Sequence, residues 1–179
     1  MGNAAELNQF LIDVEKRAFA MAMVSVKNRD DALDIVQDVM MALARKYASK
    51  KPSDWPPLFF RMLKNRIADH HRSGFIRRRV MGWFSDDAQA DLDAVAGDRS
   101  DQPDVQREQS VMKQRLIGVL SELPERQRQA FMLRIWAGLN VKETAEAMAC
   151  SDGSVKTHLS RATAALRKRL PEFAGSADG

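Results

Sequence analysis

Polar and basic side chains recur near the C-terminus at a spacing that places them on one face of a helix. Lys156 and Arg161 carry cationic groups on long stems, and Thr157 and Ser160 carry hydroxyls. Such side chains donate hydrogen bonds to phosphates and to base edges in the major groove of DNA. The pattern predicts a DNA-contacting face that consists of Ser154, Lys156, Thr157, Ser160 and Arg161.

A helix-turn-helix is predicted to position this face. Asn140 precedes Glu143 at capping-box spacing, and Ser151 is a second N-cap candidate just before the basic helix. Behind the polar face runs an apolar stripe of Val155, Leu159, Ala162, Leu166 and Leu170. Ala149 lies in the turn, where a positive φ would cost alanine on the order of 1 kcal/mol. The alternative is a plain amphipathic helix pair with a solvated charged face.

A second basic segment, residues 61–79, interleaves Lys and Arg with apolar residues at helical spacing. Pro56 and Pro57 suit the opening turn of this helix, which is predicted to run to about Arg72. Cationic side chains neutralise phosphates, and the amide of Asn65 is able to read a base edge. The segment is therefore a second candidate for DNA contact, with a solvated basic face as the alternative.

An acidic face is predicted on the helix that begins near residue 30. Asp34, Gln37, Asp38 and Met41 follow each other at i, i+3, i+4 and i+7, beside a core stripe of Ala32, Val36, Val39 and Leu43. DNA would repel an acidic face, whereas a protein partner with basic or amide groups would suit it. The alternative is an ordinary polar helix face.

Charge is distributed in three blocks. Residues 1–80 hold 15 Lys and Arg against 9 Asp and Glu, residues 81–110 hold 2 against 8, and residues 111–179 hold 11 against 7. The acidic middle block has little apolar patterning, which is typical of a flexible linker. We therefore predict an all-α protein of two small helical domains, 1–80 and 111–171, with a linker at 81–110 and a tail at 172–179.

Helix boundaries and inward faces are predicted from caps and periodicity. Residues 6–26 form one helix or two, and Asp30 or Asp31 caps the next. Another helix runs from about Val105 to Leu120, and its inward face is predicted to be Val111, Leu116 and Val119.

Several classes of protein are disfavoured. The single cysteine excludes an intramolecular disulfide, and no apolar run approaches the ~18 residues of a membrane span. Asp69, His70 and His71 match a phosphoesterase signature, but consecutive helical residues point about 100° apart and cannot converge on one metal. We expect a cytoplasmic, non-enzymatic protein without metal or cofactor. A helical nuclease or phosphoesterase is disfavoured for want of ligands.

The chain resembles the bacterial RNA polymerase sigma factors, most closely the extracytoplasmic-function class. Similarity to their region 4 is carried by Leu123-Pro124, Arg128, Leu133-Arg134, Gly138-Leu139, Lys142-Glu143, Ala145, Ser151, Gly153, Val155-Lys156 and Arg161-Ala162. Residues 31–38 resemble region 2.2, and Asn65, Asp69, Arg72 and Arg77-Arg78-Arg79 resemble regions 2.3 and 2.4. The two blocks occur in the family's order.

The resemblance implies a role for each surface. Core RNA polymerase would bind Leu33, Asp34, Gln37, Asp38 and Met41, and promoter −10 DNA would meet Asn65, Asp69, Arg72, Arg77, Arg78 and Trp55. The loop 49–55 would hold a flipped base, with Trp55 either a stacking platform or a core plug beneath the loop. The basic helix of the helix-turn-helix would read the −35 element.

The same resemblance implies two kinds of macromolecular partner besides core polymerase: promoter DNA and an anti-sigma factor. The rival interpretation is a stand-alone helix-turn-helix regulator with a helical sensing domain, which predicts a dimer and a palindromic site. The acidic face and the two separate basic blocks favour the sigma factor.

Overall fold

A computed structural model describes the backbone of residues 2–80 and 103–171, and the side chains of residues 3–74 and 111–171. The chain divides into two compact units, Met1–Asp91 and Leu92–Gly179. Every regular element in the described ranges is helical, as the sequence predicts. The linker predicted at 81–110 lies mostly outside the described residues, although its last eight residues belong to a helix that begins at Pro103.

The first unit is built from three long helices that pack on one another. They are α1 (Gly2–Val26), α2 (Arg29–Tyr47) and α3 (Trp55–Val80), with a short 3₁₀ turn at Pro52–Asp54. The predicted stripe of α2 is confirmed, because Ala32, Val36, Val39 and Leu43 are all buried. The predicted cap is wrong. Asn28 caps α2, and its side chain accepts from the Asp31 backbone N–H at 3.0 Å.

Trp55 is the largest side chain in the core of the first unit. It is 1% exposed, its Nε1–H donates to the Tyr47 carbonyl at 3.0 Å, and its ring lies 6.0 Å from that of Phe10. Phe10 in turn meets the ring of Phe59 edge-on. Trp55 is therefore the core plug beneath the loop. The prediction that it contacts −10 DNA is wrong for this conformation, because a ring buried to this extent presents no face to a base.

The described residues of the second unit form four α-helices, and the last of them packs against the other three. They are α4 (Pro103–Glu122), α5 (Glu125–Phe131), α6 (Val141–Met148) and α7 (Asp152–Arg169). The inward face predicted for α4 is wrong in part. Val111 is 52% exposed, and the fully buried positions are Ile117 and Leu120. Leu116 and Val119, which flank that line, are half-buried.

A π-helical turn, Met132–Trp136, extends α5. Its hydrogen bond spans five residues instead of the four of an α-helix, since the Ala137 N–H donates to the Met132 carbonyl at 2.9 Å. Gly138, at φ 71°, ends the segment in the left-handed region that glycine adopts without strain. The widened turn leaves Ile135 56% exposed, so a large apolar side chain faces outward beside a buried core.

The helix-turn-helix forms as predicted. Asn140 and Glu143 make the reciprocal capping box at the start of α6, with bonds of 2.9 and 2.7 Å. Ser151 caps α7 by accepting from the Ser154 N–H at 3.2 Å. Ala149 lies between them at φ 51° and ψ 54°, in the left-handed region. The turn therefore holds an alanine in a conformation that usually needs glycine.

Candidate nucleic-acid interface

The predicted DNA-contacting face lies on the outer side of α7. Lys156, Thr157, Ser160 and Arg161 are exposed, whereas Val155, Ala162 and Leu166 are buried behind them. Lys156 and Arg161 form no ion pair with any other side chain that the structure describes. The helix therefore presents two uncompensated cations and two hydroxyl-bearing side chains on one surface. This is the group of donors that phosphates and base edges require.

Two hydroxyls of the predicted face are already engaged in the helix. Thr157 donates from its hydroxyl to the Gly153 carbonyl at 3.0 Å, and the hydroxyl of Ser154 lies 2.9 Å from that of Ser151. Ser154 is also half-buried in the cap. Ser154 therefore stabilises the start of α7, and its oxygen is less available to a ligand than the exposed groups further along the helix.

Three arginines of α5 and its π turn donate hydrogen bonds to backbone carbonyls in and next to the helix-turn-helix. Arg126 donates to the Met148 carbonyl at 2.8 Å, Arg128 to the Ser121 carbonyl at 3.0 Å, and Arg134 to the Leu139 carbonyl. The Met148 and Ser121 carbonyls lie in the last turns of α6 and α4, where helical bonding leaves acceptors unpaired, and the Leu139 carbonyl lies in the connection just before α6. Each arginine thus forms a hydrogen bond across one connection between consecutive helical segments.

The burial of Arg128 has an electrostatic consequence. Desolvation lowers the pKa of its guanidinium, and the nearby Glu125 carboxylate acts in the opposite direction. The Nε atoms of Arg128 and Arg134 are buried without a partner, so both side chains are bonded at their tips. The sequence marked these two residues through the resemblance alone. Their acceptors are backbone carbonyls, which no side-chain pattern identifies.

In the first unit, the candidate −10 residues on α3 lie beside the acidic face of α2. Arg66 makes two bonds to one Asp38 oxygen, at 3.0 Å from Nε and 2.7 Å from Nη2. Asp69 and Arg72, both predicted to contact DNA, form an ion pair with each other. Asn65 is exposed. The side chains of Arg77 and Arg78 lie outside the described residues.

An open groove of about 320 Å³ runs between α2 and α3. It is lined by Asp38, Val39, Ala42, Met62, Asn65, Arg66 and Asp69, a mixture of apolar and polar side chains. A second contact between the helices joins the His70 Nε2 to an Asp31 oxygen at 3.4 Å. The acidic face of α2 and the basic helix α3 are therefore neighbouring surfaces, and the ion pair between Arg66 and Asp38 joins them.

The predicted polymerase-binding residues divide into exposed and engaged ones. Asp34, Gln37 and Met41 are exposed, with Met41 at 47%. Leu33 and Asp38 are half-buried, and Asp38 is engaged by Arg66. A partner would meet the apolar Met41 and, two turns away on the same helix face, the exposed carboxylate of Asp34, which is a mixed surface of the kind found at protein interfaces.

Within the described parts of the chain, no group of three or more His, Cys, Asp or Glu side chains is placed to hold a metal ion. None of their helices combines the length and the apolar character that crossing a membrane requires.

Comparison with known proteins gives one family match and several relatives. Residues 113–166 match the model of Sigma-70, region 4. The chain is 30% identical over 173 residues to the RNA polymerase sigma-E factor of Streptomyces coelicolor, covering 95% of this chain and 89% of that protein. It is 28% identical over 177 residues to the sigma factor HrpL of Pseudomonas syringae pv. syringae, covering 96% and 91%.

A solved structure shares the fold. The sigma factor RpoE of Bartonella quintana, crystallised with the anti-sigma factor NepR, aligns with a TM-score of 0.67 at 24% identity. The alignment covers 92% of this chain and 96% of that one. The likeness therefore extends over both helical units rather than over the helix-turn-helix alone.

Proposed function

The chain belongs to the extracytoplasmic-function class of RNA polymerase sigma factors, and we propose that its two units divide the work of that class between them. The second unit reads the promoter −35 element with α7. The first unit binds core polymerase and the −10 element. The observation that carries this division is the uncompensated basic face of α7 in one unit and the acidic face of α2 in the other.

The assignment of α7 to the −35 element rests on its exposed donors. Arg161 carries the forked guanidinium that pairs with guanine, and Lys156 carries a point charge suited to phosphate. Ser160 supplies an exposed hydroxyl on the same surface, and the Thr157 hydroxyl, which donates to the Gly153 carbonyl, offers an acceptor. Because α7 also packs on the three other helices of its unit, its outer face is the part left for DNA.

The first unit is proposed to meet two partners on adjoining surfaces. Core polymerase docks on the α2 face around Asp34, Gln37 and Met41, where an exposed carboxylate and an exposed thioether lie two turns apart on the same face. Promoter −10 DNA docks on α3 around Asn65, Asp69 and Arg72. DNA contact there requires Arg72 to exchange its Asp69 partner for a phosphate, a low-cost step for an exposed ion pair.

The remaining proposals concern organisation. Residues 1–80 and 111–171 act as the two binding domains, joined by the acidic segment 81–110, which sets the distance between them on one promoter. An anti-sigma factor, such as the one that accompanies RpoE of Bartonella quintana, is proposed to cover these surfaces and hold the protein inactive. The protein is proposed to act in the cytoplasm on bacterial core polymerase, as a promoter-recognition factor rather than as an enzyme.

The deciding experiment mixes the full chain with bacterial core RNA polymerase and fragmented genomic DNA, and sequences the 5′ ends of the transcripts. We expect new start sites that share two upstream elements. A stand-alone regulator would add no start sites with core polymerase and would protect a palindromic site instead. Absence of new start sites would reject the sigma-factor function.

A paired substitution tests the polymerase surface. Asp34→Lys with Asp38→Lys should weaken association with core enzyme at least tenfold, because two carboxylates on the docking face become cations. Glu6→Lys with Glu15→Lys is the matched control, since it changes net charge equally at two exposed positions of α1. Equal binding by the two double variants would remove α2 from the interface.

A further inference from the structure

We propose that Arg126 is a positioning residue for promoter recognition: it sets the pose of α7 without touching DNA. The inference rests on the proposed function of α7 as the −35 reader. Arg126 lies in the first turn of α5 and donates to the Met148 carbonyl at 2.8 Å, across 22 residues of chain. Met148 is the last residue of α6, immediately before the turn that leads into α7.

The turn between α6 and α7 needs an outside support because its own geometry is strained. Ala149 holds a left-handed conformation that disfavours any residue with a Cβ atom. Backbone bonds from Ala149 to Glu146 and from Cys150 to Ala145 close the end of α6 at 3.2 and 3.0 Å. The Met148 carbonyl lies beyond these bonds, and a guanidinium from another helix satisfies it. A cation at this place also interacts favourably with the partial negative charge at the C-terminal end of α6.

Arg126 connects the turn to the body that carries α7. Its own helix, α5, packs against α7, and both helices bury apolar side chains in the same core. One end of the hydrogen bond is therefore fixed relative to α7, and the other is fixed at the end of α6. Arg134 closes the opposite end of α6 in the same way, through the Leu139 carbonyl. Together the two arginines hold α6 at both ends against the α5 framework.

This arrangement predicts a loss of discrimination rather than of general affinity. A base-reading side chain discriminates fully between DNA sequences only when its donors meet the base edge within a narrow range of positions. Without Arg126, the turn is free to open at the Met148 carbonyl and the first turn of α7 is held less accurately, while the cations of α7 still attract phosphates. Contacts to the wrong sequence, which depend on charge, are therefore retained.

The test uses the full chain and a duplex that the full chain selects from a random pool, with a scrambled duplex of equal length. Binding is measured by fluorescence anisotropy at several salt concentrations, well below the unfolding midpoint. For Arg126→Ala we expect about a fivefold loss on the selected duplex and less than about a twofold loss on the scrambled one, with an unchanged salt slope. Arg126→Lys, which keeps a cationic donor, should recover most of the loss.

Two control variants separate the alternatives. Arg167→Ala removes an exposed cation from the last turn of α7 and reports the effect of charge alone. Arg161→Ala tests the proposed function itself: if it binds the selected duplex normally, or if the pool yields no sequence, α7 is not the reader and the inference falls with it. If Arg161→Ala fails to discriminate while Arg126→Ala behaves as the parent chain, only the positioning role is overturned.

A third pattern would also overturn the positioning role. An equal loss on both duplexes, with the salt slope lowered by about one, would mean that Arg126 contacts a phosphate directly. Should Arg126→Ala fail to fold, Arg126→Gln replaces it, because glutamine keeps a neutral donor and most of the volume. The same ratio of selected to scrambled affinity then decides between the outcomes.

Discussion

The two units hold their cations in different ways. In the first unit, Arg66 and Arg72 pair with carboxylates of their own unit. In the second unit, Arg169 likewise pairs with Glu122, but Lys156 and Arg161 stand exposed on α7 without such pairs among the described side chains. The arginines of α5 are bonded to backbone carbonyls. Two cations of α7 are therefore available as they stand, whereas Arg66 and Arg72 of the first unit already have carboxylate partners.

The difference suits two kinds of contact. A preformed face with free donors binds duplex DNA with little reorganisation, and affinity then depends on how accurately the helix is held. A surface with exposed internal ion pairs loses only about 0–1 kcal/mol for each pair it gives up. Under the proposed function, the first unit would therefore change partners between polymerase and DNA at low cost, which a surface of deeply buried pairs would prevent.

The largest expected effect concerns the core of the first unit. Trp55→Ala should lower its free energy of unfolding by about 3–5 kcal/mol, because a buried indole leaves a cavity and its hydrogen bond to Tyr47 is lost. Urea unfolding followed by circular dichroism measures the change. Trp55→Phe keeps an aromatic ring beside Phe10 and should cost much less. If Trp55→Ala lowered the stability of the second unit equally, the two units would not unfold independently.

Substitutions of Arg161 and Lys156 test whether the exposed cations of α7 contact DNA. Arg161→Ala should lose about 1–3 kcal/mol of discrimination between the selected and a scrambled −35 duplex, as expected for a base-reading arginine. Lys156→Ala should weaken both duplexes alike and lower the salt slope by about one. Anisotropy titrations over a range of salt concentrations separate the two roles. If neither variant binds more weakly, the free cations of α7 are not the reading surface.

Ala149 offers a smaller effect with the opposite sign. Ala149→Gly should stabilise the second unit by about 1 kcal/mol, because glycine adopts the left-handed turn without the steric cost of a Cβ atom. Ala164→Gly, at an exposed position inside α7, is the control and should destabilise by a similar amount. Thermal unfolding of both variants gives the two shifts. A destabilised Ala149→Gly variant would mean that the turn is not strained.

The smallest expected effect tests the ion pair between α2 and α3. A double-mutant cycle with Asp38→Ala and Arg66→Ala should give a coupling energy of no more than about 1 kcal/mol, since both side chains are almost half exposed. The coupling should decline as salt is added. A coupling of several kcal/mol that persists in salt would mean that this surface is locked, and the proposed exchange of partners would be untenable.

Local patterns in the sequence predicted the helix-turn-helix in detail, because its determinants are short-range. The capping box at Asn140 and Glu143, the Ser151 cap and the buried stripe of α7 all lie within a few turns of each other. Asn28 was missed as the cap of α2 because two aspartates follow it at positions that compete for the same role. Capping depends on which side chain reaches the free N–H groups, and composition alone does not decide this.

Long-range partners were beyond prediction from the sequence. Val111 was expected inside because it is apolar, yet the contact with α7 selects the face of α4 that carries Ile117 and Leu120. Trp55 and Arg126 are amphipathic side chains whose types suit either a ligand or a structural role. Their partners, the carbonyls of Tyr47 and Met148, belong to the backbone and leave no mark in the sequence.

The left-handed alanine of the turn also has a genetic consequence. Every alanine codon becomes a glycine codon through a single base change at its second position, so the strain at Ala149 is one point mutation away from relief. In a laboratory population whose growth at high temperature depends on this protein, a single mutation would produce that change. If glycine never rises there, selection is acting to keep the turn stiff rather than merely to keep the domain folded.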